Sequence, residues 1–567
     1  MTTPPPAPDI EHISVDLLVV GSGTGMAAAL AASELGMSSL IVEKTEYIGG
    51  STARSGGAFW MPANPVLRRN GSLDSLDAGR RYVRAVIGDK APADRAENFV
   101  EHGPATVEML SRTTPMRFAW ARDYSDYHPE QPGGSVVGRT CECRPLSTSI
   151  LGKHRTMLRP GVVESQLPIP ITGADYRVMN LVASLPHKAL PLMAKRAFQG
   201  IGGRLVGRHY VAGGQALAAG MFAGLLRAGV PVWTNTTLTQ LTVDGDRVTG
   251  AVLNRGGRPV SVQARRGVVL AAGGFDHRMD WRRKFQSESL EPLSLGAEGN
   301  TGDAIRLAQD IGADIALMDQ AWWFPAFAGI PDVAPVVMLA ERSLPGSLIV
   351  DQTGARFVNE ACDYMSFGQH VLERERNGTP VEQMWLIFDQ KYRNSYLMAA
   401  QLFPRMPIPR TWYEAGIAYR SDTLAALGAQ VGLPVETFTA TMGRFNETAA
   451  AGSDPDFGRG ASPYDQYYGD PTISPNPNLR ALQHGPFYAV KIVLSDLGTC
   501  GGLRADAHAR VLREDGSAID GLYAIGNTAA NVFGASYPGA GATIAQGLVF
   551  GYIAVHDAAV LDTAAPR

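Results

Sequence analysis

At 567 residues the chain is too long for one hydrophobic core, so two or three domains are expected. Hydrophobic residues make up 45% and charged residues 19%, the balance of a well-packed soluble protein, and a formal net charge of -3 leaves no basic excess for a nucleic-acid partner. Cysteines stand only at 141, 143, 362 and 500, too scattered for a disulfide framework, and the Cys141–Cys143 pair lacks the second pair that a metal site needs.

The chain opens MTTPPPAPDIEHIS, proline-rich and without the basic and apolar regions of a signal peptide. No apolar run reaches the ~18 residues of a membrane span. A reducing cytoplasm is the expected location. Residues 14–20 form a short apolar run that ends in Gly21-Ser22-Gly23-Thr24-Gly25. An Ala-rich stretch from Met26 to Leu35 favours helix, and residues 39–43 form a second buried strand ending in Glu43. Strand, glycine turn, helix and strand with a terminal acid make a βαβ unit of the dinucleotide-binding type.

EKTEYIGGSTARSGG follows at once, carrying Lys44, Gly50, Ser51, Thr52, Ser55, Gly56 and Gly57. Glu43 suits the ribose hydroxyls of an adenosine, and the Gly-Gly-Ser-Thr turn allows backbone to approach a long ligand. The path fits FAD better than a nicotinamide. GGSTARSGGAFWMP contains no histidine to bond a flavin covalently, so the FAD is expected to be dissociable. Residues 151–209 carry nine Lys/Arg against two acids, Glu164 and Asp175. Two readings stand: a cationic cover on the nucleotide domain, or a patch facing a membrane surface or a quinone. Residues 230–250 alternate like strands around an Asp244-Gly245 turn, and Leu238 is taken as a cofactor neighbour. Two further strands end in Ala272-Gly273-Gly274 and in Gly526-Asn527. The predicted fold is α/β: a Rossmann-like FAD-binding domain from 1–322 and 497–567, with an inserted α+β catalytic domain at 323–496. ASYPGAGATIAQGLVFGYIAV, at 535–555, places a tyrosine and two glycines before an apolar helix. Such a helix start presents free N–H groups to an anion or a developing oxyanion.

The stretches GGSTARSGGAFWMPAN, YSDYHPEQPGG, NTGDAIRLAQDIGA with MDQAWW, LPGSLIVDQTGARFVNE, YYGDPTISPNPNL, DLGTCGGLR and SYPGAGATI run in order over almost the whole chain. They resemble the 3-ketosteroid Δ1-dehydrogenases of the succinate dehydrogenase/fumarate reductase flavoprotein superfamily. The resemblance implies a 3-ketosteroid substrate, dehydrogenated between C1 and C2, and an external electron acceptor such as a quinone. By that resemblance Tyr537 and the Gly541 N–H bind the C3 carbonyl, Tyr364 removes the C2 proton, Tyr127 assists it, and Tyr124 and Ser51 line the cleft. Ala542 and Ile544 continue the helix start toward the flavin. Met26 departs from the pattern, standing where glycine is typical. Asp363, beside Tyr364, would oppose a phenolate if it faced the cleft, so it is expected to point away. Trp322-Trp323 offers either an aromatic wall or core packing. The rival readings are a Δ4-dehydrogenase of the same steroids, another ene-reductase or dehydrogenase of the superfamily, and a non-enzymatic lipid-binding protein of this fold. Fumarate reduction is disfavoured because the cleft motifs hold tyrosines where a dicarboxylate needs arginine and histidine.

Overall fold

The apolar run near the start forms the strand Glu11–Val20 at the centre of an eight-stranded sheet. The computed structural model describes residues 11–89, 91–162, 168–329 and 334–560, so the first ten residues, Glu164 and the C-terminal seven lie outside the described residues. Glu11–Val20 pairs with Ser39–Val42 on one side and Arg258–Leu270 on the other, both parallel. Val232–Trp233 extends the sheet beyond Ser39–Val42. Ala518–Ala524 joins the second half of Arg258–Leu270, again parallel, so both ends of the chain build one sheet. Parallel strands covered on both faces carry continuous apolar residues, and Leu17 to Val20 and Val268 to Leu270 are all buried. The Asp244-Gly245 turn joins the antiparallel strands Thr236–Asp244 and Arg247–Arg255 at the sheet's margin.

The helix Gly25–Glu34 covers this sheet and packs against the C-terminal helix Ala542–Val560. A Cβ added to Gly547 would lie 2.4 Å from the Thr24 hydroxyl, so glycine is what lets the two helices meet. Among the described residues Ala542–Val560 is the one helix long and apolar enough to cross a membrane, which corrects the expectation that no such run exists. Here its length is spent on the core: fourteen of its nineteen residues are buried.

A second sheet of six strands occupies the middle of the chain, in the order Val336–Val337, Ala321–Phe327, Phe487–Thr499, Met384–Asp389, Ser347–Asp351, with Ala418–Ser421 also on Phe487–Thr499. All its pairs are antiparallel. The limits 323 and 496 fall inside its strands Ala321–Phe327 and Phe487–Thr499.

The basic segment does more than cover the nucleotide sheet. Arg159 bonds Glu298 and Thr45 on that side. Farther along, Arg177 donates to the Tyr467 carbonyl at 2.6 Å, Ser184 to Asp470 at 2.7 Å and Tyr176 to Glu341 at 2.9 Å. It therefore clamps the two sheets together, using acceptors more than a hundred residues distant that no local pattern reveals.

Candidate active site

Three tyrosines from separate parts of the chain meet in the interior. Tyr127 follows a loop, Tyr364 is the first residue of the helix Tyr364–Arg376, and Tyr537 precedes the C-terminal helix. Their ring centroids lie 5.1 to 5.4 Å apart, each pair edge to face. The Tyr127 hydroxyl donates to that of Tyr364 at 2.5 Å.

Each tyrosine has a local reason for its place. Tyr127 N–H and Tyr82 O–H both donate to the Pro538 carbonyl, at 3.0 and 2.6 Å, and Thr140 O–H donates to Ala540. Those bonds tie the Tyr537 turn to residues some 400 positions earlier. Gly541 adopts φ 92°, and a Cβ there would meet the Ala58 carbonyl at 2.3 Å, so only glycine fits. Asp363 caps the helix of Tyr364 by accepting the Ser366 N–H at 3.0 Å. Its carboxylate is thus engaged with main chain while the tyrosine faces the cluster.

The walls are aromatic. Trp322 lies 4.7 Å from Tyr537 and Phe324 4.3 Å from Tyr364, ring to ring. Trp323, on the alternate face of the same strand, packs against Gly368 with Arg282 over its ring. The Trp-Trp pair therefore divides: one ring lines the site and the other fills the core. Tyr124 stacks on Tyr467 at 4.2 Å, and its hydroxyl accepts from Tyr468 at 3.1 Å. Phe324 and Tyr464, which packs 4.6 Å from Tyr127, were not anticipated. Strand alternation from Trp322 would have found Phe324; Tyr464 carries no such signal. A cavity of 220 Å³ opens beside Tyr537, lined by Ser536, His128, Asp363 and Gln369 among others.

Burial dominates the acidity of these phenols. It pushes Tyr364 and Tyr127 well above the ordinary phenol range, and neighbouring phenols add to the shift. The Tyr127 bond works the other way on Tyr364. Tyr537 is pushed up to about 12 by burial, offset by bonds from Tyr364 and from the Gly541 and Thr543 amides. The Gly541 N–H thus points at the Tyr537 hydroxyl, setting the two donor groups side by side.

The glycine turn has the shape a dinucleotide needs. Gly21, at φ 111°, passes so close to Ala271 that a Cβ would lie 2.1 Å from its carbonyl oxygen. Gly25 abuts the Val19 side chain, closing helix onto strand. Between them Gly23 looks across at Thr52 and Gly49, and Gly50 at Gly23, with no Cβ contact nearer than 3.3 Å. Gly56 has nothing within 4 Å. The Thr24 side chain caps no N–H of its helix, which leaves donors at that end for a pyrophosphate. Met26, fully buried, offers only main chain.

Other expected contacts are already partnered within the protein. Glu43 accepts four bonds from Ser22 and Thr45, so a ribose hydroxyl would have to replace one. Lys44 Nζ is held by Thr301 and Asp303 at 2.7 Å. Ser51 Oγ accepts from Ala297 and from Asn300, each at 2.9 Å, and Asn300 also donates to Asp276. The NTGD motif gives no sign that Asn300 joins Ser51 to Asp276 in this network. Ser55 Oγ donates to the Thr52 carbonyl and accepts the Gly57 N–H. Leu238 packs with the sheet's second apolar cluster, which Ala272 borders. Gly57, Gly273, Gly274 and Gly526 abut protein atoms. Asn527 accepts from Trp322 at 3.2 Å and from Thr543 at 3.4 Å, linking the aromatic wall to the helix start. Ala542 and Ile544 are buried there. Cys141 and Cys143 lie buried in Thr140–Cys143, and burial pushes each thiol up to about 12.

A pyrophosphate cradle at the end of a parallel sheet, with a closed ring of phenols beyond it, defines a flavin-dependent oxidoreductase. Residues 16–544 match the FAD binding domain family. The chain is 42% identical to 3-oxosteroid 1-dehydrogenase of Mycolicibacterium smegmatis, covering 97% of this chain and 98% of that protein. It is 34% identical to 4-oxocyclohex-2-ene-1-carboxylate 5-dehydrogenase of Sinomonas cyclohexanicum, over 97% and 95%. Among solved structures, the 3-ketosteroid Δ1-dehydrogenase of Sterolibacterium denitrificans in complex with 1,4-androstadiene-3,17-dione superposes with a TM-score of 0.90 at 35% identity, over 97% of this chain and all of that one. The chain belongs to the 3-ketosteroid Δ1-dehydrogenase family of FAD-binding flavoproteins.

Proposed function

We propose that the protein dehydrogenates 3-ketosteroids between C1 and C2, with Tyr364 as base, Tyr127 as its partner, and Tyr537 with the Gly541 amide as the carbonyl site. The Tyr127–Tyr364 hydrogen bond, inside a cluster that also holds Tyr537, is the observation that carries this reading. A ketone acidifies its α-carbon, and two donors on the C3 oxygen stabilise the enolate as negative charge develops there. Tyr364 Oη, as a phenolate stabilised by the Tyr127 O–H, takes the C2 proton and becomes the neutral phenol. The electron pair of the C2–H bond becomes the new C1–C2 double bond as C1 gives up its hydrogen. FAD, when bound, supplies the acceptor for that hydrogen as hydride and hands the electrons to an external acceptor such as a quinone. Trp322 and Phe324 suit a flat apolar substrate.

The FAD-loaded protein, given androst-4-ene-3,17-dione and an artificial electron acceptor, should yield the 1,4-diene. Bound flavin that no 3-ketosteroid reduces would defeat the proposal.

The second half of the basic segment supports a peripheral membrane contact by a cytoplasmic protein. Helix Pro186–Ala197 and the turns after it expose Leu190, Phe198, Leu205 and Val206, the last three by 71% or more. Lys188, Lys195, Arg204 and Arg208 are exposed among them. Apolar side chains ringed by cations fit an anionic lipid surface that holds apolar substrates and quinones. Co-sedimentation with phosphatidylglycerol vesicles should be lost when Phe198 and Leu205 become serine; unchanged binding would remove the segment from this role.

A further inference from the structure

On the inserted part, three arginines face one open cavity of 600 Å³ whose lining includes none of Tyr127, Tyr364 and Tyr537. The cavity lies between the helices Gln390–Ser395 and Arg410–Glu414 and the strand Ala418–Ser421, closed below by Tyr488. Arg393 stands on the first helix, Arg405 on the intervening loop, and Arg420 on the strand directly opposite Tyr488. Their charges are not spent on carboxylates. Arg393 is only 2% exposed, yet its guanidinium donates solely to the Tyr396 and Phe403 carbonyls, and its buried Nε has no partner. The ionisable groups acting on it are the phenols of Tyr392, Tyr488 and Tyr413, while burial lowers its pKa. Glu414, the acid of the neighbouring helix, is taken by Arg410 at 2.7 Å. Arg405 and Arg420 are exposed, and neither forms an ion pair among the described residues. Arg405 also holds a left-handed backbone, φ 69°, with its N–H bonded to the Arg393 carbonyl at 3.2 Å.

A buried cation without a counter-ion is costly, and a guanidinium with unused donors is shaped to take an oxyanion in the plane of its fork. The volume exceeds what a lone inorganic ion fills and matches a small organic ligand. Met406, Ile408 and Tyr413 give that ligand's body an apolar wall. We propose that this cavity binds a small organic anion, a carboxylate or a phosphate ester, whose oxyanion lies among Arg393, Arg405 and Arg420. None of these residues belongs to the tyrosine site, so the proposal stands or falls separately from the steroid reading.

The test is calorimetric titration of the FAD-loaded protein with inorganic phosphate, phenyl phosphate and benzoate at low ionic strength. Saturable binding is expected for at least one aryl anion, at least tenfold tighter than for inorganic phosphate. Tighter phenyl phosphate assigns a phosphate ester, and tighter benzoate assigns a carboxylate. The double variant Arg405→Gln/Arg420→Gln, altered only at exposed side chains, should weaken that binding at least tenfold and leave steroid turnover unchanged. Arg393→Gln should abolish binding; because Arg393 is buried, the double variant keeps the test decisive if that protein fails to fold. No saturable binding by any of the three probes, or equal affinity in parent and double variant, overturns the proposal.

Discussion

In the proposed reaction Tyr364 has to accept a proton in surroundings that hold it neutral. Burial and the phenols of Tyr537, Tyr124 and Tyr464 raise its pKa; of its influences, the Tyr127 hydroxyl is the one that lowers it. The deprotonated form is the active one, so kcat/KM should rise with pH across the neutral range. Replacing Tyr127 with Phe removes the stabilising donor, so the rising limb should move to higher pH and the neutral rate should fall. An unmoved profile would show that Tyr127 does not act on the base. Tyr364→Phe should cost roughly 10²–10⁴-fold in kcat, the usual worth of a general base, with flavin still bound. Tyr537, pushed up to about 12, stays a donor throughout the range. Tyr537→Phe should therefore lower kcat by roughly 10²–10³-fold, as for one lost oxyanion donor, without bending the pH profile. The meeting of the three tyrosines was readable because each sits in a motif far more specific than a glycine turn. The aromatic lining was readable only in part: Trp322 and Trp323 look alike in sequence, and only the strand's alternation separates them.

The helix Tyr364–Arg376 holds its first residue, Tyr364, through its cap. Asp363 Oδ1 satisfies the Ser366 N–H, and the N-terminal end of the helix welcomes its negative charge. Asp363→Ala should destabilise the fold by about 0.5–2 kcal/mol, the cost of a lost N-cap, and depress turnover as Tyr364 loosens. Asp363→Asn keeps an accepting oxygen, so thermal midpoint and kcat should both stay near the parent values. Equal loss in both variants would mean that the charge, not the cap, matters. At this scale the first βαβ unit was the most legible part of the fold, because strand, glycine turn and helix each obey a local rule. The C-terminal helix was legible as a helix but not as a core element, since nothing local in an apolar stretch reveals which neighbour covers it. The basic segment was the least legible. Its partners Glu341, Tyr467 and Asp470 lie in the inserted part, and composition reported only its charge.

Across the whole molecule, that clamp carries a pH dependence of its own. Glu341 sits in the inserted part, fully buried; its Oε1 accepts from Tyr176 at 2.9 Å and from the Ala399 N–H at 3.1 Å, while its Oε2 has no partner. Burial pushes the carboxyl up to about 7 from the ordinary 4.5. The folded protein therefore holds a proton that the unfolded chain has already released between those values. Its contribution is complete below pH 4.5 and is lost as pH rises through about 7. A shift of this size corresponds to roughly 3 kcal/mol at its limit. Glu142, also pushed up to about 7 by burial, adds to the slope in the same direction. Glu341→Gln cannot ionise but keeps an oxygen for Tyr176 and Ala399. Its thermal midpoint should lie above the parent's at pH 8, with the gap closing as pH falls toward 4.5, while the slope due to Glu142 remains. A variant midpoint that follows the parent's with the same slope would mean that Glu341 is already ionised in the folded state, with a countercharge reaching its free oxygen. The clamp between the sheets would then be an ionic one, weakened by acid rather than by base.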